Sequence, residues 1–201
     1  NLPAGDWGAG DRGIACLPDR VSEFRDGVGE AIDYAQALDC KQVNCLAGIG
    51  PEDVDPDLVR ATFVSNLKFA ADKLREEGIR LLIEPINTRD IPGFYLCHTQ
   101  QGLDIIDEVG SDNIALQYDI YHMQIMEGDV IRTIRENHNY FGHYHTGGVP
   151  GRNEIDESQE LNYGAIVKAI LETGYEGFRR QECMPARDPL GSLAEAYESC
   201  A

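Results

Sequence analysis

Short apolar runs and longer amphipathic segments take turns along the whole chain. The runs QVNCLAG (42–48), RLLIEPI (80–86), IALQYD (114–119), FGHYHTG (141–147) and GFRRQEC (177–183) have the length and apolar content of strands in a parallel sheet. Between them apolar residues recur at steps of three and four. VSEFRDGVGEAIDYAQAL (21–38) carries Phe24, Val28, Ile32 and Ala35 on one helical face. PDLVRATFVSNLKFAADKLREEG (56–78) opens with Pro56 and Asp57 and closes at Gly78, the residue types that start and stop helices. Further helices fit residues 99–109, 128–138, 162–174 and 188–199.

Strand and helix therefore alternate every 25 to 40 residues, about one βα unit each, which predicts an α/β domain with a parallel sheet. No linker or low-complexity tract divides residues 1–201, so the chain reads as one domain. An open doubly wound sheet and a (β/α)8 barrel both fit the alternation. No Gly-x-Gly-x-x-Gly or Walker sequence follows a strand, which leaves the nucleotide-binding open sheet without support.

Composition narrows the partners. Thirty-five acidic residues against 17 Lys plus Arg give a net charge of −18, a surface that repels phosphate backbones and anionic lipid. Nucleic acid and membrane are thus disfavoured, and no apolar run approaches the ~20 residues of a membrane span. Six cysteines occur without a Cys-x-x-Cys pair, which predicts reduced, mostly buried thiols in a cytoplasmic protein. The chain opens on NLPAGDWGAG, without a methionine.

The chemistry sits at the strand ends. Glu84 ends one strand, Asp119 the next, His145 lies near the end of the third and Glu182 near the end of the fourth, at intervals of 35, 26 and 37 residues. In a parallel barrel those ends surround one mouth, where active sites of the fold are built. Three carboxylates converging there stay ionised only with a cation among them. Carboxylate oxygens with one imidazole suit a divalent Mg2+ or Mn2+ rather than a thiolate-seeking metal. Glu84, Asp119, His145 and Glu182 are the candidate metal ligands. The alternative is that each of these acids is separately exposed at a loop.

Other candidates surround this set. His122 follows Asp119 by three residues, just beyond the strand, as a substrate contact or a loop histidine. Arg152 lies in the Gly-rich segment GGVPGRNEID (147–156), as a bidentate clamp for a substrate carboxylate or a surface arginine paired with Glu154 or Asp156. His143 alternates with His145 and reads as a structural residue one layer deeper; His98 and His138 read as inert. Trp7 either walls a pocket edge or packs its own loop.

The segments NLPAGDWGAGDRGIACLP, INTRDIPGFYL and LQYDIYHMQIMEGD, with PGRNE followed by ELNY, resemble the hydroxypyruvate isomerase family of the xylose-isomerase-like TIM barrels, over essentially the whole chain. The resemblance implies one divalent metal on Glu84, Asp119, His145 and Glu182, with Glu84 and Glu182 as the proton-transfer pair and His122 and Arg152 as substrate contacts. It implies isomerisation of a small hydroxy-oxo acid, hydroxypyruvate to tartronate semialdehyde, through an enediolate. It also implies a (β/α)8 TIM barrel whose first two βα units lie before residue 1, so that Asn1 is the stub of a third strand. The histidine of HYHTGG departs from the glutamine frequent at that ligand position, and the C-terminal third is closer to other isomerase-like or epimerase-like relatives. A ketose 3-epimerase, or another sugar isomerase or dehydratase of the superfamily, is the runner-up, on a neutral substrate that needs no arginine clamp. An endonuclease IV-like DNA-repair enzyme would need more histidines and a basic face than five histidines and a charge of −18 offer. A non-catalytic barrel would have no reason to keep four ligands. The expected partner is a small-molecule substrate, with a homo-oligomer left open.

Overall fold

A computed structural model describes residues 1–200, and these form two compact units, residues 1–117 and residues 118 onward. In the first unit three strands follow chain order: β1 (Gln42–Cys45), β2 (Arg80–Ile83) and β3 (Ile114–Asp119), whose last two residues begin the second unit. β1 pairs parallel with β2 at Val43↔Leu81 and Cys45↔Ile83, and β2 with β3 at Ile83↔Leu116. Helices make the crossovers, as parallel neighbours require. They are α1 (Val21–Ala37) before β1, α2 (Pro56–Glu76) between β1 and β2, and α3 (Thr99–Val109) between β2 and β3. Asp55 caps α2 by accepting the Asp57 N–H at 3.0 Å, and Pro56 takes the first turn, where its missing N–H costs nothing.

The apolar faces meet in one core. Phe24, Val28 and Ala35 of α1 are buried, as are Phe63, Leu67 and Leu74 of α2 and Leu81 to Ile83 of β2. Ala31 rather than Ile32 completes the inner stripe of α1. Gly102 lets α3 lie close on β3, since a Cβ there would stand 2.5 Å from Leu116 Cδ1. Ahead of α1, the Leu2 N–H donates to the Asn44 carbonyl at 2.8 Å, so the first residues run beside β1.

The second unit holds α4 (Ile120–Met126), α5 (Val130–Asn137), β4 (Phe141–Thr146), α6 (Tyr163–Glu172), β5 (Arg179–Gln181) and α7 (Pro189–Cys200). β4 and β5 are parallel, with Tyr144↔Arg179 and Thr146↔Gln181 in register. Tyr118 stacks on Phe141 at 4.6 Å between ring centroids, and Tyr144 meets Tyr118 and Tyr175 edge-on. The five expected strands are all present, and the expected helices appear with ends moved by no more than two residues.

One expectation needs correcting. His122 is not in a loop: α4 starts directly after β3, and His122 lies buried in its first turn. No turn residue separates β3 from α4, because Asp119 both ends the strand and caps the helix. Among the described cysteines, Cys16 and Cys45 are buried, Cys97 and Cys183 are half-buried and Cys40 is exposed; all five are free thiols. Trp7 is 53% exposed, with the Arg12 guanidinium 4.2 Å above its ring. No described helix is long and apolar enough to cross a membrane.

Candidate functional site

In the first unit the site residue is Glu84. It follows β2 directly and is buried, so its charge must be met by donors. Two neutral amides meet it: Asn44 Nδ2 from β1 at 2.6 Å and Gln117 Nε2 from β3 at 2.7 Å, both on Oε2. The pairing of β1, β2 and β3 supplies both donors.

In the second unit Asp119, His145 and Glu182 each offer a ligand atom within 4.8 Å of the others. Asp119 is buried, and its two oxygens do different things. Oδ1 accepts the His122 N–H at 3.2 Å, capping α4. Oδ2 faces His122 Nε2 at 3.6 Å, His145 Nδ1 at 3.8 Å and Arg152 Nη2 at 3.2 Å. Glu182 Oε2 lies 2.8 Å from His145 Nδ1 and 2.9 Å from Arg152 Nη2. One nitrogen of Arg152 thus bridges the two carboxylates. Arg152 pairs with neither Glu154 nor Asp156; Arg187 takes that place beside both.

The electrostatics follow from this geometry. Burial acts to raise the Asp119 carboxyl, but the hydrogen bond to His145 and the charges of His122 and Arg152 outweigh it and leave it below the usual range. Glu182 is lowered in the same way: burial opposes, while His145 and Arg152 prevail. His143, its ring 5.1 Å from that of His145, is driven down to about 4 by burial and by the cationic neighbours His145 and Arg180. It is a buried residue. His98 is exposed and His138 half-buried, and both bond to nearby backbone carbonyls.

The loop carrying Arg152 is anchored by residues the sequence did not advertise. The Tyr163 hydroxyl donates to the Gly147 carbonyl at 2.8 Å and accepts its N–H at 3.0 Å. A Cβ on Gly147 would press to 3.2 Å from the Glu182 carbonyl oxygen, so the absence of a side chain lets the two segments approach. Glu154 is buried and binds residues 186–192, and Asn44 and Gln117 hold Glu84. The Tyr of ELNY and the Glu of PGRNE were visible as motif letters, but their partners lie too far along the chain to read.

Asp119, His145 and Glu182 fit a hard divalent ion by donor type: two carboxylates and an imidazole gathered at one point and balanced by a guanidinium. A family model described as "Xylose isomerase-like TIM barrel" matches residues 2–199. The chain belongs to this family. Among its relatives in the xylose isomerase-like family, hydroxypyruvate isomerase of Escherichia coli is 49% identical over 185 residues, covering 92% of this chain and 71% of the relative. A 2-oxo-tetronate isomerase of Cupriavidus necator is 42% identical over the same shares. A crystal structure from Brucella melitensis, described as an AP endonuclease of family 2, superposes with a TM-score of 0.94 at 40% identity, over 98% of this chain and 76% of that one. Ketose 3-epimerases such as an L-ribulose 3-epimerase share the fold, at a TM-score of 0.76 and 24% identity.

Proposed function

We propose that the chain is an isomerase of small hydroxy-oxo acids that interconverts hydroxypyruvate and tartronate semialdehyde with the help of a divalent metal. The observation that carries the reading is the single guanidinium of Arg152 beside the Asp119 and Glu182 carboxylates. It puts a cation able to hold a substrate carboxylate next to an ionised group able to move a proton. The relatives named hydroxypyruvate isomerase and 2-oxo-tetronate isomerase support the same class.

Glu84, Asp119, His145 and Glu182 would hold the ion, Mg2+ or Mn2+. Gln117, which donates to Glu84, stands two residues before Asp119 on β3, so the two share a strand face. When bound, the ion supplies Lewis-acid polarisation of the adjacent carbonyl and hydroxyl oxygens of the substrate. Glu84 and Glu182 carry the proton: one takes it from C3 of hydroxypyruvate and the other delivers one to C2. Arg152 holds the substrate carboxylate and so fixes both carbons against the two glutamates. His122, buried beside Asp119, contacts a substrate oxygen.

The likeness to the Brucella AP endonuclease structure raises a second reading, cleavage of a DNA backbone. A charge of −18 disfavours approach to a polyphosphate, and the cluster contains one histidine. The deciding experiment incubates the protein with Mn2+ and hydroxypyruvate in D2O and follows the proton spectrum. A tartronate semialdehyde signal with deuterium at its C2, and exchange at C3 of the remaining hydroxypyruvate on reversal, is the expected outcome. Bound Mn2+ without exchange overturns the assignment.

A further inference from the structure

Glu154 is a buried carboxylate that contacts none of the groups assigned to proton transfer, ion or substrate. Its Oε1 accepts the Ala186 N–H at 3.1 Å, the Arg187 N–H at 3.4 Å and the Ser192 hydroxyl at 2.6 Å, and the Arg187 Nε lies 3.7 Å away. The two residues before it reach the same segment. The Arg152 carbonyl accepts the Met184 N–H at 2.7 Å, and Asn153 Nδ2 donates to the Met184 carbonyl at 2.8 Å. Three consecutive residues of the loop after β4 are therefore fastened to the chain that follows Glu182.

Arg152 itself sits in the left-handed region at φ +55, a strained conformation for a residue with a side chain, which persists only where its flanks are fixed. On one flank the Gly148 N–H closes a hairpin on the Asn153 carbonyl at 2.9 Å. On the other stands Glu154. Its carboxyl is held at about 2, foremost by the Ser192 hydroxyl, so it is the charged acceptor throughout the neutral range.

From this geometry we infer that Glu154 is a positioning residue, which holds the backbone of Arg152 so that its guanidinium meets Asp119 and Glu182. The inference rests on the functional reading only for its effect on substrate. The Arg152 Nε–H resonance, assigned by its loss in Arg152→Ala, reports the guanidinium directly in 15N-labelled protein. In Glu154→Gln that resonance shifts or broadens, and KM for hydroxypyruvate rises about tenfold or more, as loss of a charged hydrogen bond predicts, with kcat within about twofold. Glu154→Asp, which keeps the charge, recovers part of both. Ser192→Ala, which removes one donor, moves them less in the same direction and serves if Glu154→Gln does not fold. A resonance at its wild-type position in folded Glu154→Gln overturns the inference, even if the melting temperature falls, because Glu154 is then a structural staple alone. If the wild type shows no exchange with hydroxypyruvate, the functional reading fails and the resonance still decides on Glu154.

Discussion

Replacing Arg152 by alanine leaves the Asp119 and Glu182 carboxylates without the cation between them. At about 3 Å and an effective dielectric near 20, each contact is worth roughly 5 kcal/mol before desolvation and screening. The Glu182 side chain is 49% exposed, so water recovers most of its share, whereas that of Asp119 is 1% exposed and recovers little. Breaking a buried pair by removing one partner typically costs about 3–5 kcal/mol. We expect Arg152→Ala to lose about 3 kcal/mol in urea unfolding with chelator present. An ion entering between the same oxygens has to displace the guanidinium in the wild type and not in the variant. Part of the lost stability should therefore return as affinity, with calorimetry showing Mn2+ bound at least about tenfold more tightly by Arg152→Ala. A variant as stable as the wild type in chelator, or one that binds Mn2+ no better, refutes the competition between guanidinium and ion.

Three further outcomes follow from other parts of the molecule. Glu84→Gln and Glu182→Gln should each cut kcat by about 10²- to 10⁴-fold, the range for a general acid or base, with circular dichroism unchanged; normal turnover in both removes the proton-transfer pair. His143 takes up a proton near 4 in the folded chain and near 6.5 in the unfolded one, so the unfolded state binds more protons between those values. Its contribution is complete above about pH 6.5 and is lost as pH falls toward 4, about 2 kcal/mol between pH 7 and pH 5; His143→Gln should flatten that slope in urea titrations. Gly102→Ala forces the buried Leu116 side chain to move and should cost about 1–3 kcal/mol, read as a lower urea midpoint with the slope unchanged.

Much of this was legible in the sequence, for reasons that differ by element. The strands could be read because each is a short apolar run between polar boundaries, and α2 because Pro56, Asp57 and Gly78 agree as its boundaries. α4 was hidden because its seven residues continue the apolar run of β3 and Asp119 serves both elements. The identities Asp119, His145 and Glu182 came from spacing alone, since one βα unit returns the chain to the same sheet end. The partners of Arg152 did not, because Glu154 and Asp156 lay nearest in the sequence and only the folded loop chooses Asp119 and Glu182 instead. Glu154 and Tyr163 escaped for a related reason: Tyr163 binds backbone groups, which carry no side-chain signature, and Glu154 binds backbone groups and a serine 38 residues along the chain.

The division of labour within Asp119 has a consequence for coordination chemistry. Oδ1 accepts the first-turn N–H of α4, and Oδ2 faces His122, His145 and Arg152. Asp119 would hold an ion through Oδ2 while Oδ1 keeps the helix start. Asp119→Asn should preserve the helix start while removing the anionic donor, and so uncouple helix initiation from ion affinity at a single atom.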